Sequence, residues 1–196
     1  MDTATYLSFV GALIVRRDLW RARARAPYVG SFFIHVGVLF QSALPLPAAL
    51  VAEPLVTIRY GNASWAPRAF EIWMFKWPDL VWSFRQFSDE AKAAVCVRKP
   101  WRSLRKLLLY RAKGAYSLQD YRVWIKPRAT QEPARWLAWI VAMLPGTLCH
   151  VIAVTGIRVL YPDSGVTLDD LRKSRFSIRR RFQSMLSHIT GLSGIR

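Results

Sequence analysis

Acidic residues are scarce in this sequence. Twelve Asp and Glu stand against 29 Lys and Arg, a formal net charge of +17. No D-x-D pair occurs, so the chain carries no motif of the kind that holds a divalent cation against a diphosphate. Histidine is scarcer still: His35, His150 and His188 are scattered and form no metal-ligand spacing. Cysteine is limited to Cys96 and Cys149, far apart and without a CxxC pattern, which reads as two reduced, buried thiols. There is no G-x-S-x-G, P-loop, G-x-G-x-x-G or H-E-x-x-H, which closes the usual routes to a serine hydrolase, an NTPase, a dinucleotide enzyme or a zincin. A signal peptide is not expected. Asp2 replaces the positive n-region, and the apolar run from Tyr6 to Val15 ends at Arg16-Arg17 without a small-residue cleavage site. That run is also far shorter than the ~20 residues that cross a bilayer.

What is abundant is apolar and cationic together. Apolar residues make up 53% of the 196-residue chain, which excludes disorder, and nine of them are Trp. A strongly positive field attracts polyanions: nucleic acid, anionic headgroups or phosphate-bearing substrates. Trp and Tyr mixed with Arg fit a membrane interface, where amphipathic rings and snorkelling cations sit side by side. So much apolar mass favours lipid or lipid-linked phosphate over nucleic acid.

Along the chain, YLSFVGALIV (6–15) reads as a buried strand or strand-turn that enters a helix capped by Asp18. Pro27 and Gly30 break that helix, and SFFIHVGVLFQ (31–41) is a second apolar run. Pro45 and Pro47 mark a loop. LVAEPLVTIRYGN (50–62) has the β-branched texture of a strand closed by a Gly-Asn turn. Residues 67–87 read as a helix broken near Pro78, with Phe70, Trp73, Met74 and Trp77 on one apolar stripe. Ser88 opens a short helix to Ala94. In 101–126, Leu104, Leu107, Leu108 and Arg111 fall at helical spacing with cations flanking the apolar face, a pattern suited either to a headgroup plane or to packing on a core.

Residues 134–161 are the strongest membrane candidate, apolar from 136 to 157 and free of acid. Pro145-Gly146 at the middle favours an in-plane or re-entrant hairpin over a single span, with a soluble core as the third reading. After Pro162 comes a polar tail with a basic cluster at Arg179–Arg181, a solvated face or a site for anionic lipid. The resulting division is 1–66, 67–130 and 131–196.

SFVGALIVRRDLW (8–20), FIHVGVLFQ (33–41), EPLVTIRYGNASW (53–65), FEIWMFKWPDLVWSF (70–84) and LLLYRAKGAYSL (107–118) follow one another in this order. Together they resemble the second half of bacterial family 2 glycosyltransferases that build surface polysaccharides. That resemblance implies an α/β, α-rich fold, a partial GT-A Rossmann-like catalytic domain followed by amphipathic, membrane-associated helices. It further implies a nucleotide-sugar donor, a glycan or lipid-linked acceptor, inversion at the anomeric carbon, and Mg²⁺ or Mn²⁺ held by a donor half that is expected to be missing here. The location it implies is the cytoplasmic face of the inner membrane, peripheral or with one inserted segment.

Carried over residue by residue, Gly11 and Arg16 or Arg17 line the acceptor side. Many relatives place an acidic pair where this sequence has FIHVG, so the resemblance makes His35 the base that takes the acceptor proton. Arg59, Asn62 and Trp65 fall where the leaving diphosphate and a sugar or base ring are contacted. Arg111 and Lys113 are the expected ligands for the phosphates of a lipid-linked acceptor. A non-enzymatic membrane-surface protein and, behind it, a nucleic-acid binder are the competing readings.

Overall fold

The computed structural model describes residues 8–45, 47–49, 51, 53, 55–56, 64–129, 133–160 and 165–177. Among the described residues every regular element is helical, so the α-rich character is present and a sheet is not. The strand expected at 50–62 lies largely outside the described residues. The chain forms two compact units: Met1–Ala63 with Glu71–Pro100, and Ser64–Phe70 with Trp101–Arg196.

In the first unit the expected strand at 6–15 is replaced, over its described part, by a 3₁₀ turn, Val10–Ala12, with no buried residue. A buried strand needs partners for its backbone N–H and C=O groups, and no strand exists among the described residues to supply them. Helix α1 (Arg17–Ala22) follows, but its N-cap is Arg16. Asp18 sits inside the first turn, where its carboxylate accepts Arg16 Nη2 at 2.5 Å and is acidified by that guanidinium. A carboxylate in a first turn suits the helix dipole as well as a cap would.

Helix α2 (Ile34–Phe40) buries His35, Val36, Val38 and Leu39. Its C-terminal carbonyls have no intrahelical donors. Arg23 supplies them, donating to the carbonyls of Val38 and Leu39 and, at 2.7 Å, to that of Ala43. Phe33, just ahead of the helix, packs edge-on against Trp77 at 4.7 Å and tilted against Trp73 at 5.6 Å. Around it a core gathers from Val36, Ile72, Leu80, Val81 and Phe84.

Residues 66–83 are helical throughout, as the apolar stripe predicts, but Pro78 does not break them. Helix α3 (Ala69–Glu71) passes into a π turn, Ile72–Lys76, and then helix α4 (Trp77–Ser83). The Trp77 N–H donates to Ile72 O, five residues back. In an α-helix a proline ring collides with the carbonyl four residues earlier and offers it no donor. The wider turn relieves that collision, so Pro78 becomes an early residue of a new helix. The second unit repeats the arrangement: the π turn Tyr121–Ile125 is closed by Lys126 N–H onto Tyr121 O at 2.9 Å, immediately before Pro127.

Helix α5 (Asp89–Val95) starts where the sequence predicts, with Ser88 Oγ accepting Ala91 N–H at 3.2 Å. Near its end, Trp82 Nε1 donates to Cys96 O at 3.1 Å, while Lys92 and Arg98 lie over the Trp82 ring.

In the second unit helix α6 (Leu104–Lys113) buries Leu107 and Ala112. The helix expected across 101–126 stops at Gly114, whose φ of +81° is the left-handed C-terminal conformation that glycine adopts at least cost. After it come α7 (Leu118–Asp120), α8 (Pro133–Met143), α9 (Gly146–Leu160) and α10 (Gly165–Lys173). Ala112, Cys149 and Leu171 join α6, α9 and α10 in one core. Phe70 is clasped by Tyr116 at 4.5 Å and Tyr110 at 5.5 Å, and the buried Tyr116 hydroxyl donates to Ala138 O at 2.8 Å.

Candidate functional site

His35 is the second residue of α2, with only 6% of its surface exposed. The turn that delivers it is strained. Phe32, a bulky residue, has a φ of +70°, two residues after Gly30 at +81°. A non-glycine held there costs on the order of 1–3 kcal/mol and persists only where surrounding structure enforces it. Here the Phe33–Trp77 packing and the Ser31 Oγ contacts to Tyr28 O and Phe33 N supply that enforcement. The acceptor-side residues predicted with His35 are in the same unit: Arg17 is exposed at the first position of α1, and Gly11 lies in the 3₁₀ turn. The space a Gly11 side chain would fill is taken by the Phe9 ring, 2.7 Å from the ideal Cβ position. The missing side chain at Gly11 lets the Phe9 ring approach the backbone this closely.

Trp65 belongs to the second unit and is 45% exposed. Arg59 and Asn62 lie outside the described residues. Arg111 and Lys113 are also in the second unit, and their polar atoms are engaged internally. Arg111 donates Nε (2.9 Å) and Nη2 (2.7 Å) to Leu144 O and Nη1 (3.1 Å) to Tyr116 O. Lys113 Nζ meets Asp170 at 2.5 Å, half-shielded from water. In this structure the two cations expected at acceptor phosphates are engaged within the unit. They tie α6 to the α8–α9 junction and to α10.

The sequence gives no direct signal for the Arg111 role, but a physical one exists. Pro145 ends the hydrogen-bond ladder of α8 and leaves carbonyls in need of donors, which a neighbouring Arg supplies.

The segment read as membrane-active forms two helices meeting at 105°. Among the described residues no single helix is long and apolar enough to cross a membrane. On α8 the protein-facing side is Ala138, Val141 and Ala142, while Trp136, Leu137, Trp139 and Ile140 are exposed. On α9 Cys149 and His150 face inward, and Leu148, Val151, Ile152 and Val159 are exposed. The His150 Nδ1 is buried with no hydrogen-bond partner among the described residues, a desolvation cost of about 1–3 kcal/mol. Burial also raises the pKa of the Tyr110 and Tyr116 phenols and of the Cys149 thiol above their ordinary values, disfavouring their ionised forms.

No group of three or more His, Cys, Asp or Glu side chains that could hold a metal exists among the described residues. No protein-family model, curated protein or solved structure matches the chain.

Proposed function

We propose that this chain works at a membrane surface as the acceptor-side and membrane-side part of a family 2-type sugar transferase. In that reaction a sugar passes from a nucleotide donor to a glycan or lipid-linked acceptor for cell-surface polysaccharide. The observation that carries the membrane part is the bent α8–α9 pair, whose outward faces are apolar while their inward faces are packed against protein. The ordered motifs from SFVGALIVRRDLW to LLLYRAKGAYSL carry the transfer part. In this reading the chain contributes to a GT-A-type fold on the cytoplasmic face of the inner membrane. His35 takes the acceptor proton, Arg17, Arg59 and Asn62 contact substrate, and a partner segment supplies the donor site and any Mg²⁺ or Mn²⁺.

Replacing His35 by Asn in the native host is expected to abolish incorporation of labelled sugar into surface polysaccharide at unchanged protein level. Undiminished incorporation overturns the transfer reading and leaves the competing one, a non-enzymatic membrane-surface protein. That alternative draws on the internal engagement of Arg111 and Lys113, two of the cations expected at substrate.

A further inference from the structure

We infer that the α8–α9 pair is a rigid wedge, locked at its bend by Arg111, that enters one leaflet of an anionic membrane and does not cross it. This rests on the membrane part of the proposed function and specifies how the surface is engaged.

Length comes first. Helices of 11 and 15 residues rise about 16 Å and about 22 Å, each short of the ~30 Å hydrocarbon core. Only a straightened pair would reach across. The bend is built to resist straightening. On one side, two nitrogens of Arg111 hold Leu144 O, the last carbonyl before Pro145, and a third holds Tyr116 O. On the other, Gly146 seats the Phe176 ring so closely that an ideal Cβ would lie 2.2 Å from it. Opening the bend would strip a partly buried guanidinium of its acceptors and unseat that ring.

The faces come second. A helix crossing lipid alone is apolar all round, whereas each of these helices gives one side to protein contacts and the other to the exterior. A half-embedded, in-plane helix has that division. Trp136 and Trp139 pack edge-on, ring centroids 6.4 Å apart, on the exposed side of α8, and interfacial Trp belongs at headgroup depth.

Charge selects the occupant. From Pro133 to Leu160 there is no acidic residue, and Arg158 is exposed in the last turn of α9. The whole chain carries +17, so a second copy is repelled from this face while anionic headgroups are drawn to it.

The test uses the full chain with vesicles of phosphatidylcholine and phosphatidylglycerol, against phosphatidylcholine alone. Partition is expected to favour the anionic vesicles. Ile140→Asp with Ile152→Asp, both at exposed sites, should lower it about tenfold or more with circular dichroism unchanged. In a Cys96→Ser, Cys149→Ala background, single cysteines at Lys126 and Leu160 should both react with an impermeant maleimide added outside. Spin labels at Leu137 and Val159 should keep the same distance distribution on binding.

Failure of the native chain to partition overturns the membrane reading itself. Binding with position 160 protected, or with the 137–159 distance lengthened, overturns the wedge and leaves that reading standing. Concentration-dependent dimerisation that competes with vesicles assigns the face to a second copy and overturns the proposal.

Discussion

Two stretches of this chain have nearly the same texture and opposite fates. Residues 69–84 and residues 133–160 are both apolar, Trp-rich and interrupted by a proline. In the first, Trp77 is 6% exposed and sits among Phe33, Val36, Leu80 and Phe84. In the second, Trp136 is 69% exposed. Composition does not separate them; neighbours do. The first stretch has α2 on its apolar stripe and Val95 and Cys96 beyond it. The second has α6 and α10 on one side only. An apolar helix shows where its partner is by which side it leaves uncovered.

Mutations should expose the contrast. Trp77→Ala is expected to cost about 3–5 kcal/mol in urea unfolding, because it opens a cavity in packed surroundings. Trp136→Ala should change stability by no more than about 0.5 kcal/mol and act on vesicle binding instead. Equal losses at the two sites would erase the distinction. Next in size, Arg111→Met should cost roughly 3 kcal/mol, since the carbonyls of Leu144 and Tyr116 lose charge-assisted donors together. Arg111→Lys should recover little of it, an ammonium being unable to reproduce the fork. Tyr116→Phe removes the hydroxyl from Ala138 O under the exposed helix and should cost about 1–2 kcal/mol. Ser88→Ala, which uncaps α5, should cost about 1 kcal/mol.

The thiols provide the mildest comparison. Cys149 is buried with its pKa pushed upward, so at pH 8 it holds less thiolate than an ordinary cysteine, and its alkylation should lag that of half-buried Cys96. Labelling that runs the other way would place α9 differently.

Much of this was legible in residue order, and the reasons for the rest are local. Ser88 and the polar residues after it announce a helix start that the structure keeps. Of the Phe70, Trp73, Met74 and Trp77 stripe, all but the partly buried Trp73 are buried as the spacing predicts. Pro145-Gly146 divides the long apolar run where it should. The run at 6–15 misleads because apolar β-branched residues suggest a strand only when other strands are present, and periodicity carries no information about that. Arg111 is ambiguous in another way. A cation beside an apolar face looks the same in sequence whether it meets a phosphate or the open end of a distant helix.

The candidate site was therefore legible unevenly. His35 follows the strained Phe32 turn, Gly11 lies beside the Phe9 ring, and Arg111 and Lys113 are bonded internally, none of which residue order announces.

The π turn at Ile72–Lys76 also settles a matter of phase. An α-helix advances about 100° per residue, so positions five apart point about 140° away from each other. Yet Ile72 and Trp77, five apart, belong to one core cluster with Leu80, Val81 and Phe84. The wide turn absorbs one surplus residue and brings the two back into line. A homologue lacking one residue between 72 and 77 would form an ordinary helix with its apolar side still correctly aimed. The same deletion between 78 and 83 would rotate Phe84 out of the core, so length changes should be tolerated in the first interval and rejected in the second.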